Sequence, residues 1–334
     1  MDRQSRRRLL QSTLTLASLG LFSACGALLP QEQSPRVARL GWLMPNALNS
    51  PPDADITRGF QQGLQELGYV EGQNLVIEYR AAEGNFDRLP GLAAELARLP
   101  LDVVFAQSTP GGVAAKNAIT DIPVVIVATD PVGRGLIASL SHPGGNVTGL
   151  TVSFPGLYGK KLELLKEAVP HVRRVAYLMS PSMPAAWISE MTAAAQTLGL
   201  ELQTLRTARA DEFERAFTEM SEKGVEALDV GADPVYQDNR WRIAELALRG
   251  RLPSIGESGL YAQAGCLMGH GPSYPDLYRR AATYVDKILK GAKPGDLPVE
   301  QPTKFEFIIN VKTAETLGLT IPQSVLIQAT ETIQ

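Results

Sequence analysis

The residues best placed to do chemistry are acids and hydroxyls that fall just after short apolar runs. Thr129-Asp130-Pro131 follows Val124–Ala128, and Ser180-Pro181 follows Arg174–Met179. Asp233-Pro234-Val235-Tyr236 comes soon after Val225–Val230, and Glu257-Ser258-Gly259 follows Pro253–Gly256. Such groups accept an amine or hydroxyl of a small solute, or they cap the next helix. Ser108-Thr109-Pro110-Gly111-Gly112 also follows a strand pattern and opens a helix, so its free backbone N–H groups suit a carboxylate or phosphate. It has neither the Gly-Lys-Ser/Thr ending of a Walker loop nor a Gly-x-Gly-x-x-Gly fingerprint. Of three histidines, His142 reads as a turn residue and His171 as an exposed helix end. His270, in Gly269-His270-Gly271-Pro272 just beyond a predicted strand, is the one placed to line a pocket.

These groups do not assemble into a catalytic pattern. There is no Gly-x-Ser-x-Gly elbow, no Cys-x-x-Cys or His-Glu-x-x-His spacing, and no histidine beside a nucleophile. No catalytic residue, metal or cofactor is expected. The remote alternative is an exported two-lobed hydrolase or oxidoreductase; the hydrolase would need paired carboxylates across a cleft, which spacing alone does not supply. A formal charge of −3 over 334 residues offers no basic face for nucleic acid. Cys266, in Ala262-Gln263-Ala264-Gly265-Cys266-Leu267-Met268, reads as a buried inert thiol. Trp42 reads as a core or cleft-wall residue and Trp241 as helix packing.

The elements that must position these residues alternate. Strand patterns at 37–44, 75–79, 101–106 and 124–128 are interleaved with helical spacing at 56–68, 86–99 and 110–118. The rhythm returns with strands at 174–179, 200–205, 225–230, 253–256 and 265–268 and helices at 158–168, 185–198, 212–223, 238–249 and 274–290. Short strands alternating with helices of this length predict an α/β protein with parallel-sheet cores. A helix, Leu-Gly, strand sequence occurs at 59–79 and again at 193–202, which predicts two similar Rossmann-like lobes. The turn-rich segment Pro143-Gly144-Gly145-Asn146-Val147-Thr148-Gly149 is the expected crossing between them.

Residues 1–24 carry Arg3, Arg6, Arg7 and Arg8 ahead of an interrupted apolar run, the pattern of an export signal. Ser5-Arg6-Arg7-Arg8-Leu9-Leu10 resembles a twin-arginine address, and the small residues before Cys25 resemble a bacterial lipoprotein signal in which that cysteine is lipidated. Phe22 departs from the smaller aliphatic that this motif prefers. Residues 25–36 then read as a lipidated N-terminus and tether. Removing the four arginines and Asp2 takes the basic and acidic counts from 32 and 35 to 28 and 34, a net charge of −6.

Several longer segments resemble the substrate-binding proteins of bacterial ABC importers, in the type I periplasmic-binding group associated with tryptophan and other aromatic amino acids. They are Gly59-Phe60-Gln61-Gln62-Gly63-Leu64-Gln65-Glu66-Leu67-Gly68-Tyr69-Val70-Glu71-Gly72-Gln73-Asn74, Thr129-Asp130-Pro131-Val132-Gly133, Ser141-His142-Pro143-Gly144-Gly145-Asn146 and Asn310-Val311-Lys312-Thr313-Ala314. The resemblance covers about residues 37–332. It implies two lobes joined by three hinge crossings: 37–150 with about 272–298, and 151–271 with about 299–334. It implies a monomer that binds a small polar or amino-acid-like solute between the lobes and delivers it to a membrane permease, in the periplasm or on the outer face of the cell membrane. The same fold feeding a sensor or chemoreceptor is the alternative. Gln107 to Thr109, Thr129 and Asp130, and the facing loops would surround the solute. Asn46, Asp130, Asp233 and Glu257 would take an amino or hydroxyl group, and Ser108 and Thr109 a carboxylate.

Overall fold

The structure is a computed structural model, described here for residues 37–334 apart from 49, 51, 52, 155, 182 and 184. The export signal and Cys25 lie outside the described residues.

The first sheet holds β1 (Ala38–Met44), β2 (Leu75–Ala81), β3 (Val103–Gln107), β4 (Val124–Ala128) and β5 (Val147–Thr151), in the order β2-β1-β3-β4-β5 and wholly parallel. The second holds β6 (Arg174–Met179), β7 (Glu201–Arg206), β8 (Ala227–Val230), β9 (Ser254–Gly256), β10 (Met268–Pro272), β11 (Phe305–Asn310) and β12 (Glu331–Ile333). Its order is β12-β11-β10-β9-β8-β6-β7, and only β10 and β11 run antiparallel. β3, β4 and β8 are buried at every position, as strands covered on both faces must be. This is the two-lobed α/β architecture that the alternation predicts.

In each sheet the strand order reverses once near the start, between β1 and β3 and between β6 and β8. Loops leaving two such strands diverge to opposite faces and open a crevice at the strand ends. The sequence that follows β1, β3, β6 and β8 is therefore placed to form a site.

The Gly59-Phe60-Gln61-Gln62-Gly63 segment has a packing explanation. It lies in α1 (Ala54–Glu66), with the two glycines one helical turn apart on one face. A Cβ on Gly59 would sit 2.5 Å from the Pro275 carbonyl oxygen, and one on Gly63 would sit 2.4 Å from that of Arg279. Glycine here lets α1 lie directly on α10 (Tyr274–Leu289), which returns from the second half of the chain to the first sheet. Tyr69 OH donates to Asp286 at 3.0 Å, and Asn74 accepts from Val70 N–H at 2.7 Å and donates to Gly68 O at 2.8 Å. The motif is scaffold.

The expected crossing at 143–149 is corrected by β5. Asn146 donates to the carbonyls of Ile119 and Ile122 at 2.8 and 3.0 Å, which pins the chain beside β4. Gly149 has φ +139°, and a Cβ there would fall 2.1 Å from Ile126 O, so the glycine permits the strand instead of ending it. The chain leaves the first sheet only after Thr151. It returns between Pro272 and Tyr274 and leaves again near Glu300, whose N–H donates to Gly149 O at 3.1 Å and whose carbonyl accepts from Thr151 N–H at 3.0 Å. The strand expected at 265–268 is β10 instead, which moves His270 from a strand end to a strand interior.

Candidate functional site

The two reversal points face one another, and the residues that follow them line two adjoining cavities. The inner one, about 40 Å³, is bounded by Asp53, Gln107, Ser108, Thr109 and Thr129 from the first lobe. Asp233, Gln237, Asp238 and Glu257 close it from the second, with Tyr274 and Tyr278 of α10. The outer one, about 500 Å³, shares Thr109, Thr129 and Asp233. Its wall is largely apolar, with Phe86, Leu89, Pro90, Pro110, Val113, Met183 and Trp187, and Asn117, Arg134 and Ser180 add polar edges. A volume of this size suits a small organic molecule.

Each side chain has a local reason to be there. Gln107 ends β3, and its amide nitrogen donates to Asp53 at 3.2 Å. Asn46, after β1, donates to the same carboxylate oxygen at 3.1 Å. Asp53 stands at the start of α1 with only 1% of its surface exposed. Ser108 opens α3 (Ser108–Ala118) at φ +70°, a left-handed conformation that costs a non-glycine residue about 1–2 kcal/mol. Thr109 Oγ1 accepts from Thr129 N–H at 2.9 Å and ties the ends of β3 and β4 together. Asp233 caps α7 (Pro234–Asp238) by accepting from Val235 N–H at 2.8 Å, and still faces the cavity.

Burial governs the charges. The Glu257 carboxyl is pushed up to about 7 by desolvation, against the pull of Lys161 and of Tyr274 OH, which donates to it at 3.0 Å. Asp238 is also pushed up to about 7, by burial and then by facing Asp53. Asp53 and Asp233 are raised by burial too, with amide and hydroxyl hydrogen bonds pulling the other way. Gln107 Oε1 is buried with no hydrogen-bond donor. Buried acceptors in this state favour an arriving cation that brings several N–H donors, as a primary ammonium does.

The remaining predicted residues lie elsewhere. Asp130 holds a turn, accepting from Gly133 N–H at 3.0 Å, and lines a third cavity of about 320 Å³ with Phe154, Tyr158, Trp187 and Glu190. Tyr236 is turned inward: its OH donates to Thr207 O at 2.8 Å and accepts from Thr207 Oγ1 at 2.9 Å, and its ring packs near Phe213. His270 packs edge-on to Phe307 with Nδ1 3.1 Å from Glu306 O, and burial lowers it to about 4, so it stays neutral. Neither lines the three cavities. Trp42 is fully buried against Phe60, a core residue. Trp241 is 44% exposed instead of packed, with the Arg240 guanidinium 3.7 Å from its ring centre. Cys266 is buried, its thiol pushed up to about 12.

Asp53 and Asp238 were not legible as site residues. Asp53 follows two prolines in what reads as a loop, and Asp238 opens a helical pattern. Neither comes directly after a strand.

Below the cavity, Lys161 of α4 (Leu157–Ala168) and Asp229 of β8 form a fully buried ion pair. Lys161 also donates to Val230 O at 2.9 Å. Among the described residues no group of three or more side chains could hold a metal ion.

The chain is similar to known proteins in sequence and in fold. A curated tyrosine-binding protein of Clostridioides difficile is 28% identical over 265 residues, covering 78% of this chain and 76% of that one. A Streptococcus pneumonia ABC domain solved in complex with L-Trp is 30% identical, with a TM-score of 0.82 over 89% of this chain and 99% of that one. A conserved domain protein from Vibrio cholerae O1 biovar El Tor gives 28% identity and a TM-score of 0.82 over 89% of this chain and 100% of that one. The model of the ABC transporter substrate binding protein family matches residues 46–333. The chain belongs to that family, whose part is to capture a small solute outside the cytoplasm and pass it to an ABC permease, with no chemistry of its own.

Proposed function

We propose that the cleft takes an amino acid with an aromatic side chain. The observation that carries this reading is the inner cavity: Asp53 and Glu257, which are buried, and Asp233 and Asp238, which are half-buried, line it together with Gln107, whose Oε1 is unpartnered, beside a large apolar chamber. The α-ammonium group would sit among these acceptors. The carboxylate would face Ser108, Thr109 and Thr129 at the N-terminal end of α3, where backbone N–H groups favour an anion. The side chain would extend between Phe86, Leu89, Val113, Met183 and Trp187. The names of the tyrosine-binding relative and the L-Trp complex support the same class. Each polar group of a buried solute must find a partner, which is what would give specificity.

The lobes of this reading are 37–150 with about 272–298, and 151–271 with about 299–334. Sheet membership, save at the boundary residues Thr151 and Pro272, and the packing of α10 on α1 support it. The chain would be a monomer held at the outer face of the membrane by a lipid on Cys25, with residues 26–36 as tether.

The test is calorimetric titration with L-tyrosine, L-tryptophan and L-phenylalanine, beside tyramine and 3-(4-hydroxyphenyl)propionate. At least one amino acid should bind and the deaminated acid should not. Equal binding of the deaminated acid, or no binding by any of the three amino acids, overturns the reading.

A further inference from the structure

The third cavity, of about 320 Å³, lies beside the first crossing between the two sheets. It shares Trp187 with the outer chamber and no lining residue with the inner one. Asp130 reaches it from beyond the end of β4, and Phe154 from the crossing itself. Tyr158 of α4, with Trp187 and Glu190 of α5 (Ala185–Thr197), completes its charged and aromatic lining. Two carboxylates thus border the space, and none of the described residues that line it is basic.

Backbone groups hold both carboxylates. Asp130 Oδ1 accepts from Gly133 N–H at 3.0 Å, and Asp130 N–H donates to Ser153 Oγ at 2.9 Å, which ties the turn after β4 to the crossing. Glu190 Oε1 accepts from Gly156 N–H at 3.2 Å. A Cβ on Gly133 would fall 2.2 Å from Asp130 Oδ2, so glycine is needed there for the carboxylate to lie as it does. The cation nearest the Tyr158 ring, Lys161, has its Nζ 5.9 Å from the ring centre and is already paired with Asp229. The negative charge at the cavity is therefore left for a solute to balance.

The rings decide what kind of cation suits it. Trp187 and Tyr158 lie with ring centres 5.4 Å apart, and Phe154 packs on Phe305 at 4.8 Å while keeping 41% of its surface exposed. A primary ammonium asks for an acceptor at each N–H, and here each carboxylate already spends one oxygen on backbone. A quaternary ammonium asks only for ring surface and a counter-charge. We infer that this cavity is a second solute site, for a small quaternary ammonium ion. Phe154 and Trp187 give ring surface to its methyl groups, and Asp130 and Glu190 balance its charge. The site stands on its own lining and does not depend on an amino acid entering the inner cavity.

The test is calorimetric titration of the full chain with choline at constant ionic strength. Two comparison solutes are its uncharged carbon analogue, 3,3-dimethyl-1-butanol, and the primary amine ethanolamine. Choline should bind saturably and both others at least about tenfold more weakly. Glu190→Gln removes one charge, and Phe154→Leu removes a ring while keeping apolar bulk. Each should weaken choline about fivefold or more with the thermal unfolding midpoint unchanged. No binding of choline, equal binding of either comparison solute, or wild-type choline affinity in either variant overturns the inference. Choline that L-tyrosine or L-tryptophan displaces completely occupies the amino-acid cleft instead, which also overturns it. Failure of both amino acids to bind, with choline still bound, counts against the aromatic amino-acid reading alone.

Discussion

Gln107, which lines the inner cavity, donates its amide N–H to Asp53 at 3.2 Å and leaves its own carbonyl oxygen buried and unpartnered. The first contact fixes the orientation of the amide, and the second leaves a buried acceptor unsatisfied on a residue that lines the cavity. Truncation to Gln107→Ala should therefore lower solute affinity by about 1–3 kcal/mol. Calorimetry on the variant reads this directly, and an unchanged Kd would remove Gln107 from the site.

The acid dependence of binding follows from Glu257 and Asp238, both pushed up to about 7. A group raised in this way is protonated in the empty cavity below that pH and must ionise to receive an ammonium group. Binding should release protons near neutral pH, and affinity should rise as pH climbs through about 7. Titration in two buffers of different ionisation enthalpy measures the release, and Glu257→Gln should reduce it. Proton uptake on binding would contradict this assignment.

Lys161 and Asp229 are fully buried and paired. Lys161→Met strands the carboxylate and should cost about 3–5 kcal/mol of stability. Adding Asp229→Leu should recover much of that, because the double variant has no buried charge left unpaired. Urea unfolding of the single and double variants decides the matter, with a double no better than the single as the adverse result.

Two glycines should respond in opposite directions to alanine. Gly63 faces the Arg279 carbonyl so closely that a methyl group must push α1 from α10, a loss of about 1–3 kcal/mol. Gly91 lies in α2 (Leu89–Leu96) with nothing within 4 Å of a built Cβ, so Gly91→Ala should gain about 0.5–1 kcal/mol. Denaturation midpoints separate the two.

Cys25→Ser should move the protein from the membrane fraction to the soluble extracytoplasmic fraction of producing cells. Retention in the membrane would assign the anchor to another feature.

The parallel sheets were legible because buried strands such as Val124–Ala128, and Arg174–Met179 after its exposed first residue, are apolar runs, and both have the expected bounds. β5 was not, because Gly149 and its preceding turn look like a break while the close approach to Ile126 that makes the glycine necessary is a tertiary fact. In the cleft, Ser108, Thr109, Thr129, Asp233 and Glu257 were legible from the rule that sites gather beyond strand ends. Tyr236 obeyed the same rule and yet turned to Thr207, since direction is set by the packing of α7 and not by position. Asp53 and Asp238 come from distant parts of the chain to line one cavity, and no local pattern records which residues the fold brings together.

Glu300, where the chain leaves the first sheet for the second time, is hydrogen-bonded to Gly149 and Thr151 at the end of β5, where it leaves for the first. Two exits laced together at one edge form a strap and not a pair of loose threads. A strap folds across its width with little effort and resists being skewed along its length, so an opening of the lobes is expected to be a swing about one axis.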